Sequence, residues 1–286
     1  MTAAHAHSRA ALKRLRASRA FVLDLDGTLV LGDNSNHGQT PLPGALAFTR
    51  TLSQRGVPFV LFTNGTAHTP RQYLERLRDI GFGLSDDAVM TPATSAADYF
   101  QRRGYGRILL LGGEGLATPL RNAGLEIIAP LGAPQVDAVL VGWFREFTMP
   151  ALEAACHAAW NGAKVFSCSQ SLYFATAQGK ALGTSRAISA MIKDLTGARI
   201  HIIGKPSLEA LRCAARNLGV RTEELTVVGD DATLEIPMAR SGDSLAVAVG
   251  TGLGADNSFA ALLPKQRPHL VVHDVRELLS LYKGRS

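Results

Sequence analysis

The sequence is poor in cysteine, in aromatic side chains and in long apolar runs. The 286 residues include only three cysteines, Cys156, Cys168 and Cys213, which are widely spaced and form no CxxC pair. An odd, scattered set of this kind argues against a disulfide framework and against a structural zinc site. The longest apolar stretches fall well short of the ~20 residues that cross a bilayer. We therefore expect a protein of a reducing, cytoplasmic compartment that does not span a membrane.

Acidic residues are absent from residues 1–23, and this segment carries five cations: Arg9, Lys13, Arg14, Arg16 and Arg19. The net charge of the whole chain is +6, so the remainder carries only +1. Because the remainder contains no basic stripe interleaved with aromatic residues, we do not expect nucleic-acid binding. The segment resembles a transit peptide in composition but lacks the apolar core of a secretory signal. We interpret residues 1–20 as a helical or frayed basic extension.

The remaining chain is long enough for about two domains. Short apolar runs rich in β-branched residues end in polar or glycine residues, which predicts buried parallel strands. These runs lie at 21–23, 59–62, 200–203, 225–228 and 245–249. Helical patterns alternate with them, as where Thr69 precedes Pro70 and an apolar face. We predict an α/β fold built on a doubly wound, Rossmann-like parallel sheet, whose ligands gather at the carboxyl ends of the strands.

The middle third of the chain alternates in the same way. Strands are expected at 108–111, 136–141 and 164–166, with helices at 93–103 and 150–160. The simplest division is a catalytic core of residues 21–86 and 200–286, interrupted by an inserted α/β domain at residues 87–199.

Two carboxylates come directly after the first predicted strand, in the run Asp24-Leu25-Asp26-Gly27-Thr28. Residues two apart on a strand share a face, so both carboxylates can converge on one point. Neighbouring carboxylates repel, so either a cation neutralises them or one becomes protonated. A solvated acidic turn is the alternative interpretation of so short a motif, but its position directly after a buried strand favours a site.

Three further strand ends carry polar groups. Thr63, Asn64 and Gly65 offer a hydroxyl, an amide and backbone N–H groups, all of which bind phosphate oxygens. Lys205 lies beside a helix start, where an ammonium can neutralise a phosphoryl group. Each feature taken alone also fits a capped turn or a surface lysine.

The fourth strand end reads Gly229-Asp230-Asp231, with Glu235 further on. Clustered hard oxygen ligands of this kind suit Mg²⁺ far better than zinc. An acidic turn is again the alternative for the motif taken alone.

In this order the four motifs resemble those of the haloacid dehalogenase superfamily. The insertion between the second and third motifs is similar to the C2-type cap of its subfamily IIA, which includes para-nitrophenyl phosphatase-like and nucleotide monophosphate phosphatases. The resemblance runs from Phe21 to the end of the chain. It implies an aspartyl-phosphate mechanism with Mg²⁺, in which Asp24 is the nucleophile and Asp26 the general acid/base. The phosphate would be bound by Thr63, Asn64 and Gly65, and its charge would be stabilised by Lys205. The metal ligands would be Asp24, Asp230 and the Asp26 carbonyl.

The chain departs from this pattern in places. A cap loop that commonly carries Asn-Pro-Asp reads Ser169-Gln170-Ser171, and Trp143-Phe144 replaces a usual aspartate. The resemblance leaves open whether Asp231 and Glu235 ligate the metal directly.

We therefore expect a Mg²⁺-dependent phosphatase of a small phosphorylated metabolite, with a homodimer through the cap as the expected assembly. The alternatives are a phospho-ligand-binding protein with little turnover and an enzyme of another reaction class, such as a dehalogenase.

Overall fold

The computed structural model describes residues 8–32, 39–176, 179–256, 259 and 262–284. The contacts divide these residues into two compact units. The first unit lies within 1–63, 74–89 and 214–286, and the second within 64–73 and 90–213. On the sequence alone, the segment from Gly32 to Pro43, which contains His37, could touch substrate or loop outward; His37 lies outside the described residues. The domain limits given above remain predictions.

The elements alternate as expected for an α/β protein. The first half of the chain contains α1 (Arg9–Arg16), β1 (Ala20–Asp24), β2 (Val30–Gly32), β3 (Gln39–Pro41), α2 (Ala45–Gln54), β4 (Phe59–Phe62), α3 (Pro70–Asp79), β5 (Val89–Met90), α4 (Pro92–Arg103), β6 (Arg107–Leu111), α5 (Glu114–Asn122), β7 (Glu126–Ile128) and β8 (Ala138–Val141). The second half contains α6 (Met149–Trp160), β9 (Lys164–Ser167), β10 (Tyr173–Thr176), β11 (Gly179–Leu182), α7 (Thr184–Thr196), β12 (Ile200–Ile202), α8 (Leu208–Asn217), β13 (Leu225–Gly229), α9 (Glu235–Ser241), β14 (Leu245–Val249), β15 (Leu270–Val272) and α10 (Val275–Tyr282).

A six-stranded sheet forms the centre of the first unit. Its strand order is β15-β14-β13-β1-β4-β5, and β1 runs parallel to both of its neighbours, β13 and β4. All residues of β1, β13 and β14 are buried, which explains why these strands read as continuous apolar runs. The predicted α/β fold with a doubly wound parallel sheet is confirmed.

Helix α1 packs against the first unit rather than forming a frayed extension. Leu15 is fully buried, and α1 contacts α10 and β14. The Arg14 guanidinium donates to the Asp243 carbonyl oxygen at 2.8 Å, and Arg16 Nε donates to the Leu281 carbonyl oxygen at 3.0 Å. From Ser8 onward, the predicted basic extension is thus a packed helix.

A five-stranded parallel sheet forms the centre of the second unit, in the order β12-β9-β8-β6-β7. One apolar cluster joins it to residues of α4 and α5, and another joins it to residues of α6 and α7. The expectation that 200–203 runs in the same sheet as Asp24 is wrong, because β12 pairs with β9. The apolar pattern of a buried parallel strand is the same in either sheet, so the pattern could not assign it. None of the described helices is long and apolar enough to cross a membrane.

Candidate active site

The chain leaves β1 through a tight turn that separates its two carboxylates. Asp24, the last residue of β1, is 5% exposed, whereas Asp26 is exposed. Gly27 adopts φ +88° and its N–H donates to the Val30 carbonyl oxygen at 2.8 Å. Asp26 Oδ2 accepts a hydrogen bond from Thr63 Oγ1 at 3.1 Å, at the end of the neighbouring strand β4. One carboxylate is therefore held in a buried position and the other is oriented by a threonine.

Asp230 supplies a third carboxylate from β13, the other neighbour of β1. The parallel register pairs Leu23 with Val228, so Asp24 and Asp230 emerge at the same edge of the sheet. Asp230 is 3% exposed, and its Oδ1 accepts from Thr28 Oγ1 at 3.4 Å. Its Oδ2 accepts from the backbone N–H of Leu253 at 2.7 Å.

Two glycines allow the backbone to approach Asp230 this closely. A Cβ atom at Gly27 or at Gly252 would collide with the Asp230 carboxylate. Gly252 also has a positive φ, +53°, and Thr251 Oγ1 donates to the Gly27 carbonyl oxygen at 2.6 Å. From the sequence alone, the glycine-rich segment Gly250–Gly254 fits a simple turn after a strand, and its contact with Asp230 is not predicted. The available signal was its position after β14, a strand of the same sheet.

The two carboxylates left open by the sequence, Asp231 and Glu235, form hydrogen bonds within the loop after β13. Asp231 Oδ1 accepts from the N–H and the hydroxyl of Thr233, at 2.6 and 2.7 Å. Glu235 is 1% exposed, and its Oε2 accepts from the Asp231 N–H at 3.1 Å. It packs so closely on Gly229 that a Cβ there would collide with it. Both carboxylates therefore shape the loop that carries Asp230.

The second unit carries the other predicted phosphate-binding residues. Lys205 N–H donates to Asn64 Oδ1 at 2.8 Å, and Asn64 Nδ2 donates back to the Lys205 carbonyl oxygen at 3.0 Å. This pair of bonds fixes the Asn64 amide against the backbone of Lys205, a residue that is only 2% exposed. Gly65, next to Asn64, is half-buried. The structure thus groups Asp24, Asp26, Thr63 and Asp230 in one unit and Asn64 with Lys205 in the other.

The cap loop that departs from the family pattern is held by its own hydrogen bonds. Gln170 Nε2 donates to Ser167 Oγ at 3.0 Å, and Ser169 Oγ donates to Ser171 Oγ at 3.1 Å. The Arg186 guanidinium donates to the Gln170 carbonyl oxygen at 3.0 Å. The loop therefore presents neutral hydroxyl and amide groups in place of a carboxylate.

The edge carrying Asp24 and Asp230 fits a magnesium ion. The described part of the chain contains no preassembled group of three or more His, Cys, Asp and Glu side chains. Mg²⁺ does not need one, because it keeps several waters and binds through one or two carboxylates and substrate phosphate. Asp24 and Asp230 are two buried carboxylates on neighbouring strand ends, which a cation would neutralise. The hydrogen bonds that Asp230 accepts leave lone pairs for a metal.

Comparison with known proteins agrees with this geometry. A family profile described as haloacid dehalogenase-like hydrolase matches residues 21–126, and a second, HAD-hydrolase-like profile matches residues 202–278. The acid sugar phosphatase of Staphylococcus aureus strain USA300 is 31% identical over 217 residues, which cover 76% of this chain and 80% of that protein.

Solved structures of similar fold match over most of the chain. The 4-nitrophenylphosphatase of Thermotoga maritima superimposes with a TM-score of 0.82 at 26% identity, covering 94% of this chain and 99% of its own. NagD of Escherichia coli shares the fold, with a TM-score of 0.79 at 24% identity over 91% of this chain and 98% of its own. With both halves of the motif set matched by family profiles, the chain belongs to the haloacid dehalogenase-like hydrolases, in subfamily IIA.

Proposed function

We propose that the protein is a phosphatase that hydrolyses a small phosphomonoester through a phosphorylated Asp24. The observation that carries the proposal is the arrangement at one sheet edge, where Asp24 and Asp230 are buried on neighbouring strands and Asp26 is bonded to Thr63. The names of two relatives, an acid sugar phosphatase and a 4-nitrophenylphosphatase, support the same reaction class.

The proposed reaction has two steps. In the first, an Asp24 oxygen attacks phosphorus, the bond from phosphorus to the ester oxygen breaks, and Asp26 donates a proton to the departing alcohol. In the second, Asp26 takes a proton from a water that attacks the phosphorylated Asp24, releasing phosphate and restoring the carboxylate. Exposure of Asp26 and burial of Asp24 suit these different tasks, because the acid/base must exchange protons with solvent.

Magnesium held by Asp24, Asp230 and the Asp26 carbonyl would supply charge neutralisation for the attacking carboxylate and the phosphoryl oxygens. The Thr28 hydroxyl and the Leu253 N–H orient Asp230 for this task. The glycines at 27 and 252 let both donors approach.

The Asn64 and Lys205 pair is proposed to bind the transferring phosphoryl group together with Thr63 and Gly65. Asn64 directly follows Thr63 in the chain, and its amide is fixed by the Lys205 backbone. The Lys205 ammonium would then counter negative charge on the equatorial phosphate oxygens. The neutral loop 169–171 is proposed to select the part of the substrate beyond the phosphate.

The proposal is tested by a screen of phosphorylated metabolites with Mg²⁺ and with EDTA. We expect phosphate release from small phosphomonoesters that depends on Mg²⁺, and acid-stable trapping of ³²P on the protein during turnover. Saturable binding of phosphomonoesters without turnover would favour the alternative of a phospho-ligand-binding protein. Halide release from haloacids without Mg²⁺ would favour a dehalogenase.

A cytoplasmic location and a homodimer through the cap are proposals as well. The three cysteines are buried and form no disulfide in the part of the chain that the structure describes, which suits a reducing compartment. Cell fractionation tests the location, and sedimentation of the purified full chain tests the dimer.

A further inference from the structure

The amino ends of β9 and β12 bring like charges together at the edge of the five-stranded sheet. The parallel register pairs Ile200 with Val165 and His201 with Phe166. The residues one position earlier, Arg199 and Lys164, are therefore neighbours across the two strands. Like charges opposite one another destabilise a strand pair, so this juxtaposition calls for a compensating negative charge.

In the described part of the chain, no carboxylate forms an ion pair with either cation. Arg199 and Lys164 are exposed, and neither takes part in an ion pair there. Other exposed arginines are paired, such as Arg121 with Glu114 and Arg78 with Asp86. What distinguishes Arg199 and Lys164 is that they lie opposite each other on neighbouring strands.

A third basic group lies on the same face of the strands. The His201 imidazole contacts the Phe166 ring, with centroids 5.2 Å apart and an interplanar angle of 31°. Since side chains two apart on a strand share a face, His201 lies on the side of Arg199 and Phe166 on the side of Lys164. Burial, then Arg199, then Lys164 lower the pKa of His201. The charged groups that act on this imidazole are therefore both cations.

A cavity of about 380 Å³ opens beside these three side chains. Its lining includes Lys164, Arg199 and His201 together with small residues, Ala159, Gly162 and Ala163, which leave room next to the cations. The ammonium and the guanidinium are hydrogen-bond donors only, and the imidazole becomes one when it is protonated. All three groups therefore favour an oxyanion as their ligand.

We propose that Lys164, Arg199 and His201 form a binding site for a small phosphate-bearing anion at the amino ends of β9 and β12. The site is separate in sequence from every residue assigned to the reaction, so it does not rest on the proposed function. The guanidinium binds two phosphate oxygens at once, the ammonium adds a point charge, and the imidazole donates a further hydrogen bond. Bound anion would also stabilise the protonated imidazole.

The test monitors the His201 C2–H resonance by NMR while the full-length protein is titrated with inorganic phosphate, against sodium chloride of equal ionic strength. The His201→Gln variant assigns the resonance. We expect a saturable shift with phosphate and a rise in the pKa of His201. The double variant Lys164→Gln, Arg199→Gln should bind phosphate at least about tenfold more weakly at this resonance.

A charge-matched control changes two exposed cations elsewhere, Arg50→Gln and Lys193→Gln, and should leave the shift unchanged. The double variant changes no residue assigned to the reaction, so phosphate bound at the reaction site should respond equally in the double variant and in the control variant. The proposal is overturned if the His201 resonance responds to phosphate no more than to chloride. It is equally overturned if the double variant and the control variant show the same affinity.

Discussion

The two sheets of this protein share an architecture and differ in the residues at the carboxyl ends of their strands. Both are parallel and covered by helices, yet the six-stranded sheet ends in Asp24, Thr63 and Asp230. In the five-stranded sheet, Lys205 lies shortly after β12, but strands β6 and β8 are followed directly by Gly112 and Gly142. A Cβ at either of these two glycines would collide with Leu116, so they serve packing. The fold therefore does not decide the chemistry, which depends on a few residues beyond the strand ends.

The largest expected effect comes from removing the carboxylate at the end of β1. Asp24→Asn replaces the proposed nucleophile with a neutral group of the same shape, so phosphatase turnover should fall to background. The fold should persist, because the substitution adds no volume. Phosphate release and ³²P trapping measure the loss, and circular dichroism checks the fold. Asp194→Asn, an exposed carboxylate on α7, is the matched control and should keep full activity. Near-normal turnover in Asp24→Asn would refute the covalent mechanism.

The second prediction concerns Asp26 and the basicity of the leaving group. General acid–base assistance contributes about 10²–10⁴-fold, mostly for poor leaving groups. Asp26→Ala should therefore slow the first chemical step severely for an alkyl phosphate and much less for para-nitrophenyl phosphate. Because Asp26 also activates the attacking water, a burst of nitrophenolate should precede a slow steady state.

Rapid mixing with both substrates separates these two roles of Asp26. A comparison variant, Thr63→Val, removes the 3.1 Å hydrogen bond to Asp26 together with the hydroxyl that is proposed to bind phosphate. It should give a weaker version of the same leaving-group pattern and also raise KM. An equal loss of the first step for alkyl and aryl esters would show that Asp26 is a structural or metal-orienting residue.

The comparison of the sheets also shows how much a sequence can predict. Asp24, Asp26 and Asp230 could be proposed from the sequence because each lies at or just after the end of a buried apolar strand, and that position can be recognised from the local pattern. The sheet to which β12 belongs could not be predicted in this way. The strand with which β12 pairs depends on distant residues, which the local pattern does not contain. The approach of Gly252 to Asp230 was missed for a related reason, because it requires a positive φ and a contact between residues 22 positions apart.

The third prediction concerns α1, a part of the first unit that lies away from the carboxyl ends of the strands. Substitutions there should change the stability of the protein and not its catalytic activity. Leu15 is fully buried on α1, so Leu15→Ala should cost about 2–5 kcal/mol of unfolding free energy through lost burial and a cavity. Leu12→Ala, on the same helix but only partly buried, should cost less. Urea unfolding measures both, and kcat should stay within a few-fold of the parent. A collapse of kcat in folded Leu15→Ala protein would show that α1 acts on the site.

The smallest expected effect is a pH dependence of the unfolding free energy, which arises at His269 near the amino ends of β14 and β15. His269 Nδ1 accepts from the Ala246 N–H at 2.9 Å, while Nε2 faces the guanidinium groups of Arg240 and Arg14. Burial first, and then Arg240 and Arg14, lower the pKa of His269 to about 4. The folded protein thus holds this ring neutral at pH values where the unfolded chain has begun to protonate it.

The sign of the effect is set by this difference in bound protons. Below an unfolded pKa near 6.5 the unfolded chain binds a proton that the folded chain does not, so stability falls as the pH drops from about 6.5 to 4. His269→Gln should flatten that part of the profile, and solvent around the half-buried ring keeps the change below the ~1.4 kcal/mol per pH unit of one full proton. Urea unfolding midpoints between pH 4 and 8 measure the difference between the two proteins. The pKa values of Glu114 and Glu224 are lowered in the folded protein. Protonation of these two carboxylates at still lower pH therefore destabilises both proteins equally. Parallel profiles for the parent and His269→Gln would show that burial and the two arginines do not lower the pKa of this imidazole in the folded protein.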